Sequence, residues 1–324
     1  MTESRRTVLA LDLGGTQLRT AVVRSDGTLS GRRASATPRT ADEVVNASVD
    51  QMRRSLADVR AAGADDDPRP VAIGISAAGP IDVERGELLD PPNLDRSLWG
   101  FPLAPALATE LGLPAAIERD THVAALAERE FGAARGLTDF VYLTVSTGIG
   151  GAVVSGGRLM TGPDGVAGEL GHLSLDMDGP PCGCGARGHL EALASGTGIA
   201  AIAAEAGLAA RSAVEVAAAE GGGDPVATQI MERARQAFAA AAVSIVDIFN
   251  PQRIIVGGGI AIGQGDRLLE PAREAVRAHS FKRQAARVEI VPAELGDDVG
   301  LIGAVPLVGI ALLGEDTHIN PGAS

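Results

Sequence analysis

Apolar runs that end in glycine turns recur along this chain. The run Thr7–Leu13 leads into Gly14-Gly15-Thr16 and is followed by a second apolar run, Leu18–Val23. The same order returns within Phe140–Val154, around the glycine-rich turn at residues 147–151. Short apolar runs bounded by turn residues predict buried strands. The recurrence predicts a duplicated fold in which each half opens with a strand hairpin.

Helical spacing marks two longer stretches. Thr40 and Glu43 form a capping box ahead of apolar residues at helical intervals, and Gly63 ends that pattern. Asp224 predicts the cap of a second helix, which ends at Asn250-Pro251. Two more strands are predicted, at Val71–Ser76 and Arg253–Val256. Strands that alternate with helices are typical of an α/β protein.

Composition narrows the function classes. The chain has 324 residues, which favours two domains, and 28 basic against 41 acidic side chains give a net charge of −13. This balance argues against a nucleic-acid binder. We find no apolar stretch near the roughly 18–20 residues that cross a bilayer, and no apolar core of a signal peptide follows Met1. A cytoplasmic protein with no membrane partner is therefore predicted.

The glycine turns at residues 14–15, 148–151 and 257–259 all follow apolar runs. Glycine allows backbone N–H groups to approach phosphate oxygens closely, so such turns suit a nucleotide, although a single one is as easily an ordinary hairpin turn. Asp12 precedes the first turn and could hold Mg²⁺, most simply through water. The chain has no Gly-x-x-x-x-Gly-Lys-Ser/Thr sequence, which excludes a P-loop protein.

Asp120 stands where a helical pattern begins, within Glu118-Arg119-Asp120-Thr121-His122. It could simply cap that helix. It could also be a general base that aligns a substrate hydroxyl for attack on a phosphoryl group, a role for which a weak base suffices.

The two cysteines and two histidines of one segment form a candidate metal site. His172, Cys182, Cys184 and His189 offer the ligand set of a tetrahedral zinc site, while two buried thiols without metal are the simpler alternative. A metal here would fix the loop that carries Glu169 and Glu191. These carboxylates could bind adjacent hydroxyls of a polyol, or could be solvated loop side chains.

Taken together, these motifs resemble the ROK family of sugar kinases and sugar-responsive repressors over nearly the whole chain. The motifs that carry the resemblance are Asp12-Leu-Gly-Gly-Thr16, Gly79-Pro80, Pro92-Asn93-Leu94, Thr147-Gly-Ile-Gly-Gly151, Gly168-Glu-Leu-Gly-His172, Cys182-Gly-Cys184-Gly, Gly188 to Glu191, Gly257-Gly-Gly259 and Gly300-Leu-Ile-Gly303.

The resemblance implies two actin-like, ribonuclease H-like α/β domains of the hexokinase-type ATPase superfold, with an active-site cleft between them. We expect an N-terminal domain over residues 1–118, joined by a C-terminal helix at about 301–314, and a C-terminal domain with the zinc loop over residues 119–300.

The resemblance also implies residue roles. Asp120 would be the catalytic base, zinc would be structural, and Mg²⁺ would accompany ATP. The predicted sugar ligands are Asn93, Arg119, Asp120, Glu169, His172 and Glu191. The predicted nucleotide contacts are Asp12, Gly14, Gly15, Thr16, Thr147, Gly148, Gly257 and Gly258. The predicted metal ligands are His172, Cys182, Cys184 and His189.

Four residues depart from the family pattern. Arg119 and His122 replace the usual asparagines, His189 replaces the third cysteine, and Ser146 replaces a glycine. Because arginine only donates hydrogen bonds whereas asparagine also accepts them, Arg119 predicts a sugar specificity different from that of a standard glucokinase.

The predicted function is an ATP-dependent kinase for the 6-hydroxyl of a hexose. Glucose is the default acceptor, with mannose, fructose and N-acetylhexosamines as alternatives. A non-catalytic sugar-sensing regulator and a kinase that uses polyphosphate are the competing hypotheses. The resemblance further implies a homodimer or homotetramer.

Overall fold

The computed structural model describes residues 6–62 and 69–314. Its strands are β1 (Thr7–Leu13), β2 (Gln17–Arg24), β3 (Leu29–Ala36), β4 (Pro70–Ala77), β5 (Ile81–Asp82), β6 (Glu87–Leu88), β7 (Ala115–Arg119), β8 (Phe140–Val145), β9 (Ile149–Ser155), β10 (Arg158–Leu159), β11 (Arg253–Gly257) and β12 (Glu289–Pro292). Its helices are α1 (Ala41–Ala61), α2 (Leu103–Leu111), α3 (Asp120–Phe131), α4 (Leu190–Ala194), α5 (Gly196–Glu205), α6 (Ala213–Gly221), α7 (Pro225–Phe249), α8 (Gly259–Gln264), α9 (Asp266–His279), α10 (Lys282–Ala285), α11 (Val299–Ile302) and α12 (Ala304–Leu313).

A five-stranded sheet of order β3-β2-β1-β4-β7 forms the centre of the first compact unit. Strands β1, β2 and β3 are antiparallel neighbours, whereas β1, β4 and β7 run parallel. Every residue of β1 is buried, as expected for a central strand covered on both faces. Helix α1 contributes Val44, Met52 and Val59 to the core beside Leu11 and Ile73.

The second unit repeats this topology with a sheet of order β10-β9-β8-β11-β12. Strands β8, β9 and β10 are antiparallel neighbours, and β8, β11 and β12 run parallel. Helix α7 packs Ala234, Phe238 and Ile245 into a core that also contains Val141 and Ile254. The predicted fold class, two actin-like α/β units, is confirmed.

The local sequence signals match the observed element ends closely. The capping box of Thr40 and Glu43 is formed at the start of α1, while the predicted stop at Gly63 lies outside the described residues. At the start of α7 the Asp224 side chain accepts from the N–H groups of Val226 and Ala227, and Pro225 is the first helical residue. These ends are decided by hydrogen bonds between near neighbours, which a sequence reveals.

The chain divides between the two units at Arg135, not at residue 118. Of the described residues, the first unit contains 6–62, 69–135, the short segment Thr161–Val166 and 297–314. Helix α3 stays with the first unit because Val123 and Leu126 pack against Ala116 and Leu307. The second unit comprises Gly136–Met160 and Ala167–Gly296.

One helical stretch, Gly296–Leu313, has the length and apolar composition of a membrane span within the described residues. This corrects the expectation that no apolar stretch approaches that length. The stretch is divided between α11 and α12, and 44% of it is buried. Leu301, Ala304 and Val308 pack on Val8 and Ala10 of the first sheet. These contacts are typical of a core helix.

Candidate functional site

The candidate residues of the first unit gather at the carboxyl edge of its parallel strands. The register pairs Asp12 with Ser76 and Ser76 with Glu118, which aligns them in one row across β1, β4 and β7. The turn after β1 and Asp120 after β7 lie just beyond this row. In open α/β sheets ligands bind outside the carboxyl ends of the strands.

Asp12 is held by two partners on neighbouring strands. Ser76 Oγ donates to Asp12 Oδ1 at 3.0 Å, and the Arg19 guanidinium forms an ion pair with the other carboxylate oxygen. Arg19 also donates to the backbone oxygen of Asp297 at 2.6 Å. Both carboxylate oxygens are therefore engaged within the chain. This arrangement fits an Asp12 that reaches Mg²⁺ through water rather than by direct coordination.

Sequence reasoning missed Arg19, although its signal was present. In the hairpin formed by β1 and β2, Asp12 and Arg19 are direct cross-strand partners. Such partners project from the same face of a sheet, close enough to pair. Counting residues outward from the Gly14-Gly15 turn along both strands would have predicted that Asp12 pairs with Arg19.

The first glycine turn lies against the loop that carries Asn93. A β-carbon on Gly15 would lie 2.5 Å from the Asn93 carbonyl oxygen, so only glycine fits there. Thr37 Oγ1 donates to the Gly14 carbonyl at 2.6 Å, and the Thr37 N–H donates to the Thr16 carbonyl at 3.1 Å. Gly15, Thr16 and Asn93 are exposed. A nucleotide-contact candidate and a sugar-ligand candidate are thus neighbours within one unit.

A buried polar group surrounds the start of α3. Glu118 Oε1 lies 3.0 Å from His122 Nδ1 and accepts from the Arg119 backbone N–H at 2.8 Å. Arg119 Nη1 lies 3.4 Å from His122 Nε2 and donates to the Gly165 carbonyl at 3.1 Å. Asp120, in contrast, is exposed, and its Oδ1 accepts from the Thr121 N–H at 2.7 Å. The start of α3 therefore combines buried polar side chains with one exposed carboxylate, that of Asp120.

In the second unit the turn between β8 and β9 is fixed from behind by α4 and α5. Glu191 Oε2 accepts from the Ile149 N–H at 2.9 Å, and a β-carbon on Gly148 would lie 2.6 Å from the same oxygen. The N–H and the hydroxyl of Thr197 both donate to the Thr147 carbonyl at 3.0 Å. Glu191 was predicted as a sugar ligand only. Its contact with the turn depends on packing between residues far apart in sequence.

The third glycine turn lies at the carboxyl edge of the same sheet. Thr144 of β8 pairs with Gly257 of β11. Gly258 has a φ of 93°, and a β-carbon there would lie 2.5 Å from the Val145 carbonyl oxygen. Both the left-handed backbone and the close approach require glycine. The turns at Thr147–Gly148 and Gly257–Gly258 thus border one edge, as a nucleotide site requires.

The four predicted metal ligands come together in the second unit. One ligand atom from each of His172, Cys182, Cys184 and His189 lies within 4.8 Å of the others. The two Nδ1 atoms are 3.1 Å apart, Cys184 Sγ is 3.4 Å from His189 Nδ1, and Cys182 Sγ is 3.9 Å from His172 Nδ1. Tetrahedral zinc with ordinary bond lengths requires about 3.3 Å between nitrogens and about 3.6 Å between nitrogen and sulfur. The donor set and its spacing fit zinc.

A closed loop builds this cluster from the backbone. Cys182 N–H donates to the Ala186 carbonyl at 2.8 Å, and Gly188 N–H donates to the Pro180 carbonyl at 2.8 Å. Gly188 has a φ of 61°, and a β-carbon there would overlap the Asp176 carbonyl oxygen. The glycines near the cysteines therefore serve the tight closure of the loop.

Two further features connect the cluster to the predicted sugar ligands. His172 Nε2, the nitrogen that faces away from the cluster, lies 4.0 Å from Glu169 Oε2. Cys182 Sγ lies 4.0 Å from Glu191 Oε1. Burial raises the pKa of the Cys182 thiol, against the backbone N–H of Cys184, which lowers it, and the Cys184 thiol and the Glu191 carboxylate add to the increase. His172, Glu169 and Glu191 thus lie together around the candidate metal cluster.

Comparison with known proteins decides the family. The model of the ROK family matches residues 8–310. The chain belongs to the ROK family. It is 36% identical to an N-acetylmannosamine kinase of Shigella flexneri over 93% of this chain and 98% of the relative.

Solved structures of ROK sugar kinases share its fold. A ROK hexokinase from Thermus thermophilus is 35% identical with a TM-score of 0.80, covering 93% of this chain and 97% of that one. A ROK glucokinase from Streptomyces griseus, solved with glucose and AMPPNP, is 32% identical with a TM-score of 0.72 and covers 93% and 98%. These neighbours support the hexokinase-type ATPase fold.

Proposed function

We propose that this ROK protein is an ATP-dependent kinase that phosphorylates the 6-hydroxyl of a hexose, with N-acetylmannosamine as the favoured acceptor. The observation that carries the proposal is Asp120, an exposed carboxylate at the first residue of α3. It lies at the same carboxyl edge of the sheet as Asp12 and the Gly14-Gly15 turn. A base beside a phosphate-binding turn is what phosphoryl transfer to a hydroxyl requires.

In this mechanism Asp120 orients the acceptor. Its carboxylate accepts the proton of the sugar 6-hydroxyl as the hydroxyl oxygen forms a bond to the γ-phosphorus. The bond between that phosphorus and the oxygen bridging to the β-phosphate breaks, and ADP leaves with the bridging oxygen. A carboxylate is a weak base, but phosphoryl transfer depends mainly on positioning and on charge stabilisation.

The glycine turns would bind the nucleotide. Gly14, Gly15 and Thr16 in the first unit, and Thr147 and Gly148 in the second, would direct N–H groups or hydroxyls at phosphate oxygens, and Gly257 and Gly258 would lie on the adenosine side. Mg²⁺ would neutralise phosphate charge, with Asp12 contacting its water ligands. Arg19, paired with Asp12, would keep that carboxylate oriented.

His172, Cys182, Cys184 and His189 would hold Zn²⁺, which supplies rigidity to the loop when bound. Glu169 and Glu191 would accept from sugar hydroxyls, as would the Asn93 amide oxygen. With His172 Nδ1 on the metal, His172 Nε2 carries the ring proton and would donate to a hydroxyl oxygen. His172 Nε2 and Glu169 Oε2 lie 4.0 Å apart, a spacing at which one sugar hydroxyl could accept from the first atom and donate to the second. Glu191, anchored by the Ile149 N–H, would offer its second oxygen.

Two observations favour an acceptor sugar other than glucose. The end-to-end similarity to N-acetylmannosamine kinases favours that sugar. Arg119, which replaces the asparagine usual in the family, gives a second reason to expect an acceptor other than glucose. Glucose, the default from sequence reasoning, stays a prediction and competes in the same test, as do mannose and fructose.

The test is ADP release by zinc-replete protein with Mg·ATP and a panel of N-acetylmannosamine, N-acetylglucosamine, glucose, mannose and fructose. We expect the highest kcat/KM with N-acetylmannosamine. A higher value with glucose would refute the acceptor assignment and leave the kinase assignment intact. Polyphosphate in place of ATP tests the donor.

Asp120→Asn tests the mechanism. We expect at least a thousandfold loss of kcat with sugar binding still measurable by calorimetry, because the amide keeps the shape and loses the basic oxygen. Asp224→Asn is the matched control, since Asn also caps helices well and α7 lies outside the site. Near-normal kcat in Asp120→Asn would remove Asp120 from the mechanism. Sugar binding with no turnover in the unaltered chain would instead indicate the sensing role.

A further inference from the structure

The guanidinium of Arg119 is buried in the first unit. Sequence reasoning treats Arg119 as a direct sugar ligand, because it stands where ROK kinases usually have an asparagine. In the structure the residue is only 4% exposed. Its Nη1 faces His122 Nε2 and the Gly165 carbonyl oxygen. Burying a charged side chain costs free energy unless its hydrogen bonds are made. The contacts with His122 and Gly165 supply such hydrogen bonds within the first unit.

The contacts that link Arg119, His122 and Glu118 can be satisfied by one consistent set of proton positions. An ionised Glu118 carboxylate only accepts, so the contact at 3.0 Å places a proton on His122 Nδ1. His122 Nε2 is then an acceptor, as the Arg119 donor 3.4 Å away requires. His122 is completely buried. The order of donation therefore runs from Arg119 to His122 to Glu118.

The packing around Arg119 is shaped for this side chain. A β-carbon on Gly79 would lie 2.8 Å from Arg119 Cγ, so the arginine stem occupies space that only glycine at 79 leaves open. On the far side, Arg119 Nη1 donates to the Gly165 carbonyl at 3.1 Å. Gly165 belongs to Thr161–Val166, the short segment that packs in the first unit although the residues before and after it pack in the second.

We propose that Arg119 is a positioning residue, which holds the segment Thr161–Val166 against the end of β7, and that this segment borders the acceptor sugar. The residue after Arg119 is Asp120, which must touch the reacting hydroxyl, so a segment anchored to Arg119 lies next to the sugar. This inference rests on the proposed kinase function. It makes Arg119 a determinant of acceptor selection that acts through the backbone it fixes.

Substitutions at 119 separate this role from direct binding. Arg119→Met keeps the apolar stem and removes all donors, and Arg119→Lys keeps the charge but cannot serve His122 and Gly165 in the same planar geometry. Arg54→Met is the matched control, since Arg54 is exposed on α1 and pairs only with Asp50 among the contacts seen. Gly79→Ala displaces the Arg119 stem without removing it, which provides a second variant should Arg119→Met fail to fold.

The measurement is hydrogen–deuterium exchange of peptides spanning residues 161–166, from one second onward, without sugar or nucleotide. We expect severalfold faster exchange in Arg119→Met and Gly79→Ala, an intermediate rate in Arg119→Lys, and no change in Arg54→Met. Hydrogen–deuterium exchange needs no turnover. Its result therefore does not depend on whether the kinase proposal is correct.

Kinetics supply the second readout. We expect Arg119→Met to raise the acceptor KM about tenfold with the ATP KM within twofold, and Arg119→Lys to recover part of the loss. Unchanged exchange with weakened sugar binding would show direct ligation and overturn the proposal. Faster exchange with an unchanged acceptor KM would overturn the claim that the segment borders the sugar. Exchange of residues 161–166 in the unaltered chain at the rate of an unstructured peptide would overturn the anchoring itself.

Discussion

The contact between Gly148 and Glu191 allows a substitution whose effect can be worked out in advance. A β-carbon on Gly148 would lie 2.6 Å from Glu191 Oε2, whereas ordinary contact begins at 3.4 Å. In Gly148→Ala the carboxylate must therefore withdraw by about 0.8 Å. Its hydrogen bond from the Ile149 N–H, now 2.9 Å, would then exceed hydrogen-bonding distance.

The magnitude follows from that lost bond. A hydrogen bond to a charged acceptor contributes about 1.5–3 kcal/mol. The sugar must draw the Glu191 carboxylate back against the new methyl group. The free energy of sugar binding therefore becomes less favourable by up to the free energy of that hydrogen bond, which corresponds to a roughly 10-fold to 100-fold weaker affinity. Alanine itself fits the backbone at 148, because no positive φ occurs there.

The assay is calorimetric titration of the accepted sugar without nucleotide, so that any effect of Gly148 on phosphates does not enter. Gly263→Ala is the matched control, since a β-carbon at that position would meet nothing within 4 Å. In a Glu191→Ala background, Gly148→Ala should cause little further loss, because the group it displaces is gone. Sugar affinity within twofold of the unaltered protein in Gly148→Ala would refute the reasoning.

Three other predictions concern the second unit. Glu220→Gln should lower the free energy of unfolding by about 3 kcal/mol, measured by urea denaturation, because Glu220 is buried and pairs with Arg235 and Arg267, both at 2.7 Å. Glu270 also pairs with two arginines, but its side chain is 46% exposed. Glu270→Gln should therefore change the free energy of unfolding far less, and equal effects would contradict the role of burial. The Gly156 N–H, with the Thr138 and Ser155 hydroxyls, holds the pKa of Asp139 below its usual value of 3.8 against the opposing effect of burial. The ionised Asp139 side chain therefore stabilises the fold fully above pH 3.8, and this stabilisation is lost as the pH falls through the lower pKa of the folded state. Asp139→Asn should reduce Tm at pH 7, and the difference in Tm from the unaltered protein should narrow below pH 3.8. A difference in Tm that stays constant with pH would contradict this reasoning. Cys182→Ser should reduce bound zinc, measured by metal analysis, and weaken sugar binding at least tenfold with nucleotide binding unchanged, whereas full zinc occupancy would remove Cys182 from the ligand set.

The expected homodimer or homotetramer, the cytoplasmic location and the choice between ATP and polyphosphate stay predictions. Sedimentation of the purified chain addresses the first, and the donor assay described above addresses the last.

The sequence by itself determined where several elements begin and end, and which candidate residues they carry. Continuous apolar runs between turn residues define β1 and β8, and Asp224 with Pro225 defines the start of α7, because these signals act between near neighbours. The candidate metal ligands were equally visible, since Cys182, Cys184 and His189 lie within one tight loop.

Only the tertiary structure determined which residues far apart in sequence contact one another. It assigned α3 to the first unit, anchored Glu191 to the Gly148–Ile149 turn, and buried Arg119 against Gly165. Each contact joins residues separated by tens of positions, and no local conformational preference predicts such a contact. Side-chain type predicts what Arg119 can donate, but only the packing of Gly79 and of the Thr161–Val166 segment determines to which acceptor it donates.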